Sequence, residues 1–294
     1  MTCHNGDKYL EQALISLKKQ TYKNWELIFW DNNSKDKSKI IFKKFKNKKM
    51  KYFKSNKTLK LGKVRQMAFE KCNGKFISFL DVDDLWIKNK LKLQVNKFNE
   101  DKKTGVVYGK YSVLRGKKID KTKYPKFIKG KFTKDFLYSY IDGRPFTAWL
   151  TLMIKKKDIK KLNYAFNKRM HISTDLDLIV RLSKFCYFDY VNKYSTIYRY
   201  HDNNETNKHY SVEISELCYI FQKLRKIYFS NKINNYTNKL ILKNFFLNKI
   251  QNKKSYILSS NINNYFYKII YFLIKLSPSF ILSFLLKNEL SKKI

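Results

Sequence analysis

The sequence predicts an α/β fold in which helices sandwich a mostly parallel sheet, followed by a helical C-terminal region. Short apolar runs of strand length alternate with helical segments through the first hundred residues, a pattern typical of parallel α/β sheets. After about residue 210 the composition becomes helical, lysine-rich and aromatic. We therefore expect a first domain over residues 1–206 and a separate helical region over 207–294.

The early elements follow from the spacing of apolar residues. Helical spacing predicts a helix from Asp7 to Lys19, and the run Trp25–Trp30 predicts a buried strand that ends in a polar turn. The run Lys75–Leu80 predicts a second buried strand that ends in three aspartates. Between these strands the pattern predicts helices at about 35–47 and 62–72 and a short strand at Lys51–Lys54.

The later elements are predicted from looser patterns. Strands are expected at Gly105–Val113, Phe146–Ile154 and Ser195–Tyr200, and helices at Thr133–Ile141 and Ser173–Phe185. A fold of this class should begin with a buried strand, but the chain starts where that strand would end. The first strand is therefore predicted to be missing. Truncation or a misplaced start is the favoured explanation, and a domain that lacks this strand is the alternative.

The charge is strongly basic, with 63 Lys and Arg against 23 Asp and Glu and a net charge of +40. Only seven of the basic residues are arginine, although recognition of bases and phosphates favours the arginine fork. The excess also accompanies abundant Asn, Ile, Tyr and Phe, as a global coding bias would produce. A solvated lysine surface, attraction to anionic lipid and nucleic-acid binding stay open, and we expect no specific nucleic-acid partner.

The cysteines and the N-terminal residues indicate a cytoplasmic protein. Four widely spaced cysteines with no C-x-x-C pair exclude a zinc ribbon and argue against a disulfide framework. The polar start Met1–Gly6 predicts no secretory signal.

The segment Tyr265–Leu286 is long and apolar enough to consider as a membrane span. Lys268, Lys275 and Pro278 argue against a clean span. Two short interfacial helices broken at the proline, and a helical cap packed on the domain, remain as alternatives.

Three carboxylates, Asp81, Asp83 and Asp84, follow the buried strand Lys75–Leu80. Ligands of open α/β sheets bind beyond the carboxyl ends of the strands. Carboxylates this close repel one another, and a hard divalent cation, completed by substrate phosphates, relieves the repulsion. The alternative is an acidic turn that caps the next helix.

A second acidic pair, Asp175 and Asp177, begins a predicted helix. Residues two apart do not share a helix face, so one can point into a cleft while the other caps the helix or pairs with Arg181. Alternatively, both complement the helix dipole. His201 opens a polar loop after the last predicted strand, and a lone histidine is more often a surface residue than a ligand.

Taken in order, these segments resemble the family 2 glycosyltransferases of the GT-A fold. The resemblance covers about residues 1–206. It is carried by Thr2–Gly6, Lys8–Ile28, DNNS at 31–34, LGKVRQMAFEKCNGKFISFLDVDDLW at 61–86, STDLDLIVRLSK at 173–184 and YRYHDNNET at 198–206.

The resemblance implies roles for individual positions. The nucleotide's uracil and ribose would be bound at Thr2, His4, Asp31 and Asn32, with Arg65 approaching the same region.

In the D-x-D motif, Asp81 and Asp83 would contact the ribose and the metal bound to the diphosphate. Asp175 matches the catalytic base, and His201 matches a histidine that completes the metal or phosphate site. Arg144–Thr151 would line the donor-sugar or acceptor pocket.

Three departures from the family pattern stand out. Asn32 replaces a common second acid, Thr174 stands where an acid often precedes the base, and the first strand is predicted to be missing.

The activity implied is that of an inverting hexosyltransferase in polysaccharide biosynthesis. It would use Mg²⁺ or Mn²⁺ and a nucleotide-sugar donor, a UDP-sugar, and transfer the sugar to a glycan or lipid-linked acceptor. The basic, aromatic tail indicates a cytoplasmic enzyme at the inner face of the cell membrane, on an anionic membrane surface. The alternatives are a truncated, non-catalytic relative of the same scaffold and a basic nucleic-acid-binding protein.

Overall fold

The protein was analysed as a computed structural model, which describes residues 1–122, 129–131, 134–143, 148–251 and 265–276. The chain divides into two compact units, Met1–Asn204 and Glu205–Ile294.

The first unit opens with a three-stranded parallel sheet of β1 (Thr2–Cys3), β2 (Leu27–Asp31) and β3 (Met50–Lys54), in that order. The first strand, which the sequence predicts to be missing, is present with two residues, so that prediction is wrong. It forms because the N–H groups of Trp30 and Asn32 donate to the carbonyls of Met1 (2.9 Å) and Cys3 (2.7 Å).

Two helices connect these strands, and a third leads from β3 to the second sheet. They are α1 (Asp7–Lys18), α2 (Ser38–Phe45) and α3 (Leu61–Glu70). Leu10, Leu14 and Leu17 form the buried face of α1, as their helical spacing predicts.

A seven-stranded sheet forms the second half of the unit. Its order is β4 (Phe76–Ser78), β9 (Met153–Lys155), β6 (Thr104–Arg115), β10 (Tyr187–Tyr200) and β5 (Leu85–Trp86), with β7 (Lys118–Lys121) on β6 and β8 (Gly130–Lys131) on β10. The central pair β6 and β10 is parallel, and the other pairings are antiparallel. The predicted α/β class is confirmed, with a second sheet of mixed direction.

The remaining helices of this unit are α4 (Lys90–Glu100), α5 (Lys134–Ile141), α6 (Lys156–Ile159) and α7 (Thr174–Leu182). The strand predicted at 146–154 is replaced by a 3₁₀ turn at Trp149–Thr151 and the short β9, while residues 144–147 lie outside the described part. The last strand starts earlier than predicted, at Tyr187, because Phe188 and Val191 are also buried against the sheet.

A lysine lies inside the core of this unit. The Lys90 Nζ donates to Ser78 Oγ and Gln94 Oε1, each at 2.7 Å, and lies 4.0 Å from the centre of the Trp86 ring. Burial lowers the pKa of Lys90 well below its usual range, because the charged form loses its hydration.

The second unit is helical, with α8 (Glu205–Lys208), α9 (Tyr210–Ile227), α10 (Asn231–Ile250) and α11 (Tyr265–Leu276). Aromatic contacts join the helices: Phe221 of α9 meets Tyr236 of α10 at 4.8 Å, and Phe245 of α10 meets Tyr271 of α11 at 4.4 Å. Over the described ranges, no helix has both the length and the apolarity required to span a bilayer. Pro278 and the rest of the predicted segment up to Leu286 lie outside those ranges.

Candidate active site

The predicted site residues of the first unit come from the ends of its strands and the first turn of a helix. Asp81 and Asp83 follow β4, Asp175 lies in the first turn of α7, and His201 follows β10. Arg65 reaches the same region from α3. The structure gathers these side chains into two clusters.

The arginine-centred cluster consists of Arg65, Asp81, Trp149, Thr174 and Asp175. The buried guanidinium of Arg65 lies 3.8 Å from Asp81 Oδ1, donates to Thr174 Oγ1, and stacks 4.1 Å above the Trp149 ring. One arginine therefore joins the D-x-D turn to the start of α7. Thr174, one of the expected departures from the family pattern, accepts the bond from this arginine.

The carboxylates of this cluster hold their protons more tightly than ordinary aspartates. Burial raises the pKa of Asp175, and the Arg65 guanidinium and backbone N–H groups partly offset that rise. Burial likewise raises the pKa of Asp81, against the effect of Arg65. A carboxylate with a raised pKa is a stronger base once it is deprotonated.

The histidine-centred cluster consists of Asp83, His201 and Asn204. His201 Nε2 lies 3.1 Å from Asp83 Oδ2, and Asn204 Nδ2 donates to the same oxygen at 3.3 Å. The backbone N–H of His201 donates to Asn204 Oδ1 at 2.7 Å, while the imidazole packs 5.0 Å from the Tyr9 ring. The loop after β10 is thereby fixed against the D-x-D turn.

Asp84 lies beneath this turn and is buried. Its Oδ1 accepts the backbone N–H of Arg199 at 3.0 Å, and Arg199 Nε donates to the Asp83 carbonyl at 2.9 Å. Burial and the neighbouring Asp83 and Asp81 raise the pKa of Asp84 well above its usual range. Asp84 thus anchors the turn to the end of β10.

The residues expected at the nucleotide base lie at the carboxyl ends of β1 and β2, but two of them face protein partners. Asp31 accepts the Ser34 N–H at 2.7 Å and the Tyr52 hydroxyl at 2.6 Å. Asn32 Nδ2 donates to the Leu59 carbonyl at 2.8 Å, and Asn32 Oδ1 accepts the Leu59 N–H at 3.0 Å. Both are buried and shape the loops around them.

His4 and Thr2 are more accessible. His4 is exposed, and its Nδ1 lies 2.9 Å from the Asn32 carbonyl oxygen. The loop that follows is close to the D-x-D turn, since a Cβ added at Gly6 would lie 2.8 Å from Val82 Cγ2. A side chain at this position would push the two loops apart.

A cavity of about 550 Å³ lies beside the site. Residues of β2 and β4 such as Leu27, Ile28 and Ile77 line much of it, and Thr2, Arg65 and Asp81 also belong to its wall. Because much of the lining is apolar, the cavity is poorly suited to a charged diphosphate.

The histidine-centred cluster fits a divalent cation. A carboxylate and an imidazole are suitable ligands for Mn²⁺, and a carboxylate suits Mg²⁺, with substrate phosphates completing the shell. Asp83 and His201 already point at one another at a distance close to that between two ligand atoms of one metal.

Some of the residues that build the site were not found from the sequence. Asn204 lies within the segment that carries the resemblance, so its position was available as a signal. Trp149 belongs to the segment Arg144–Thr151 that is expected to line a pocket, but its stacking under Arg65 was not predicted. Asp177 pairs with Arg181 at 2.8 Å, which confirms one of the two roles considered for it.

Comparisons with known proteins place this chain among glycosyltransferases. The family model described as glycosyl transferase family 2 matches residues 1–162. The Escherichia coli UDP-Glc:alpha-D-GlcNAc-diphosphoundecaprenol beta-1,3-glucosyltransferase WfgD is 25% identical over 185 residues, which are 56% of this chain and 72% of that protein. An uncharacterised glycosyltransferase of Methanocaldococcus jannaschii is 26% identical, over 99% of this chain and 94% of the relative.

Solved structures share the fold. The S. aureus TarS 1–349 complex with UDP-GlcNAc has a TM-score of 0.65 and 19% identity, over 83% of this chain and 71% of that one. The mannosyltransferase PcManGT from Pyrobaculum calidifontis, in complex with GDP-Man and Mn²⁺, has a TM-score of 0.59 and 13% identity, over 83% and 69%.

Proposed function

This chain belongs to glycosyl transferase family 2 and is a glycosyltransferase, and from that premise we propose an inverting transfer from a UDP-sugar to an acceptor hydroxyl. The observation that carries the proposal is the link through Arg65, which joins Asp81 of the D-x-D turn to the helix turn that bears Asp175. One side chain therefore connects the turn proposed to bind the donor with the helix turn that bears the proposed base.

Asp175 acts as the general base. Its carboxylate takes the proton of the acceptor hydroxyl while that oxygen forms a bond to the anomeric carbon of the donor. The bond from this carbon to the diphosphate breaks on the opposite face, and the diphosphate leaves with the electron pair. Arg65 opposes the rise in the pKa of Asp175 that burial causes, and general-base assistance contributes about 10²–10⁴-fold.

Asp83 and His201 would hold Mg²⁺ or Mn²⁺. When bound, the ion neutralises the diphosphate and makes it a better leaving group. Asn204 positions Asp83 through its amide, and Arg199 fixes the backbone of the same turn.

The choice of a UDP-sugar rests on the relatives and on the rim of the site. WfgD is named for UDP-Glc, and the TarS structures hold UDP or UDP-GlcNAc. Thr2 and the exposed His4 are proposed to contact the uridine, while the buried Asp31 and Asn32 shape the loop that receives it.

We place the acceptor on a glycan or a lipid carrier, at the inner face of the cell membrane, in a pathway of polysaccharide synthesis. The support is the diphosphoundecaprenol acceptor in the name of WfgD and the basic charge of this chain. Residues 1–206 would form the catalytic domain and 207–294 the membrane-associating region.

The test is calorimetric titration of the purified full chain with UDP and with GDP, each with and without Mn²⁺, followed by assays of UDP release from UDP-sugars. We expect UDP to bind more tightly with the metal and GDP to bind weakly. Preferential binding of GDP would overturn the UDP assignment. Absence of any nucleotide binding would identify a non-catalytic member of the family.

A further inference from the structure

The last described helix, α11, has a buried face and an exposed apolar face. Tyr271 is buried, with its ring 4.4 Å from Phe245 of α10. The opposite face carries four large apolar side chains spaced i, i+3, i+4 and i+7, so they form one continuous stripe. This α11 stripe consists of Ile269, Phe272, Leu273 and Leu276, which are 44%, 51%, 60% and 81% exposed.

The charges beside the stripe are positive. Lys268 and Lys275 are exposed and seven residues apart, so they lie on the same side of the helix. The helix contains no acidic residue, and residues 205–294 carry fifteen Lys and Arg against four Glu. Lys249 of α10 donates to the carbonyls of Ile274, at 2.8 Å, and Lys275, which holds the end of α11 in place.

We propose that the α11 stripe docks the protein on an anionic lipid bilayer. The four apolar side chains would enter the boundary between headgroups and acyl chains, with Lys268 and Lys275 against the lipid phosphates. A helix of twelve residues is about 18 Å long and lies in the interface, because crossing the hydrocarbon needs about 30 Å.

The charge argues against a second copy of the chain as the occupant. Two such faces would bring lysines of both copies together and repel, whereas an anionic surface neutralises them. This inference rests on the proposed function only for the lipid-linked acceptor that such a surface would present. Binding to lipid is independent of turnover.

The experiment is co-sedimentation of the full chain with vesicles of phosphatidylcholine, with and without phosphatidylglycerol, at physiological salt. We expect binding to the anionic vesicles and a loss of about tenfold or more in affinity for Leu273→Glu. Ile40→Glu is the matched control, since Ile40 is an exposed apolar residue of helix α2 in the first unit, 69% exposed. This control should bind as the wild type does.

The double substitution Lys268→Ala and Lys275→Ala tests the charges, and should weaken binding to anionic vesicles while leaving the weaker binding to neutral ones unchanged. Failure of the wild type to bind anionic vesicles would overturn the proposal, as would full binding by Leu273→Glu. Equal losses in Leu273→Glu and Ile40→Glu would also overturn it. UDP titration without vesicles separates this outcome from failure of the proposed function.

Discussion

The two clusters of the candidate site differ in what neutralises their carboxylates. In the arginine-centred cluster the buried guanidinium of Arg65 lies beside Asp81 and lowers the pKa of Asp175. In the histidine-centred cluster the partners of Asp83 are an imidazole and an amide. A fixed cation inside the protein suits a carboxylate that must stay anionic, whereas partners without a permanent charge leave room for an exchangeable cation.

The comparison therefore indicates two different roles within the short D-x-D motif. Asp81 lies at the arginine side and Asp83 at the histidine side, two residues apart. We infer that proton transfer is organised on the first side and metal and phosphate binding on the second.

The largest effect is expected from Asp175→Asn. Loss of the general base should lower turnover by about 10²–10⁴-fold, with the affinity for UDP unchanged. Initial rates and calorimetry on the same preparation measure both. Asp177→Asn is the matched control. Asp177 lies two residues from Asp175 but pairs with Arg181, so its loss should affect stability more than turnover. Normal turnover in Asp175→Asn would remove this residue from the mechanism.

On the histidine side, Asp83→Asn should weaken UDP binding in the presence of Mn²⁺ by about 10–100-fold. The effect should vanish when the metal is removed with a chelator. Asp120→Asn is the control, since Asp120 is a partly exposed carboxylate paired with Lys118. Equal UDP affinity in Asp83→Asn and the wild type would show that the metal is held elsewhere.

Arg65→Gln tests the arginine side through pH. Arg65 lowers the pKa of Asp175, so its removal should raise that pKa further. Because the base acts only when deprotonated, the acid limb of the profile of kcat/KM should move to higher pH. An unmoved limb would mean that another group titrates in that range.

The smallest effect is expected on stability, from Asp84→Asn. Burial raises the pKa of Asp84 in the folded state, so the folded protein binds the proton more tightly and loses stability as pH rises above about 3.9. Asparagine removes the cost of burying an ionised carboxylate at neutral pH. We expect Tm to rise by about 2–4 °C, the shift that a gain of ~1 kcal/mol in the free energy of unfolding produces in a unit of this size. Thermal unfolding of both proteins should show a smaller difference in Tm near pH 4 than at pH 7.

The sequence predicted where the site residues lie better than it predicted their contacts. Asp81, Asp83, Asp175 and His201 follow or begin elements whose ends can be read from apolar runs and polar turns. Their roles as base and metal ligands stay predictions. The two-residue β1 was missed because so short a strand has no period to detect.

The contacts that join the clusters depend on side-chain packing between distant parts of the chain. Arg65 and Trp149 are far apart in sequence, and only the folded chain stacks one upon the other. The inward orientation of Asn32 toward Leu59 is equally a product of packing. Propensity and periodicity carry no information about such pairs.

Because Lys90 is buried, chemical labelling of its amine can report global opening of the first unit. Reagents that acylate amines will modify exposed lysines in the folded protein, but they can reach the Lys90 amine only when the sheet and α4 separate. Its labelling, followed by mass spectrometry against the other fifty-five lysines as an internal reference, would measure how often the first unit opens.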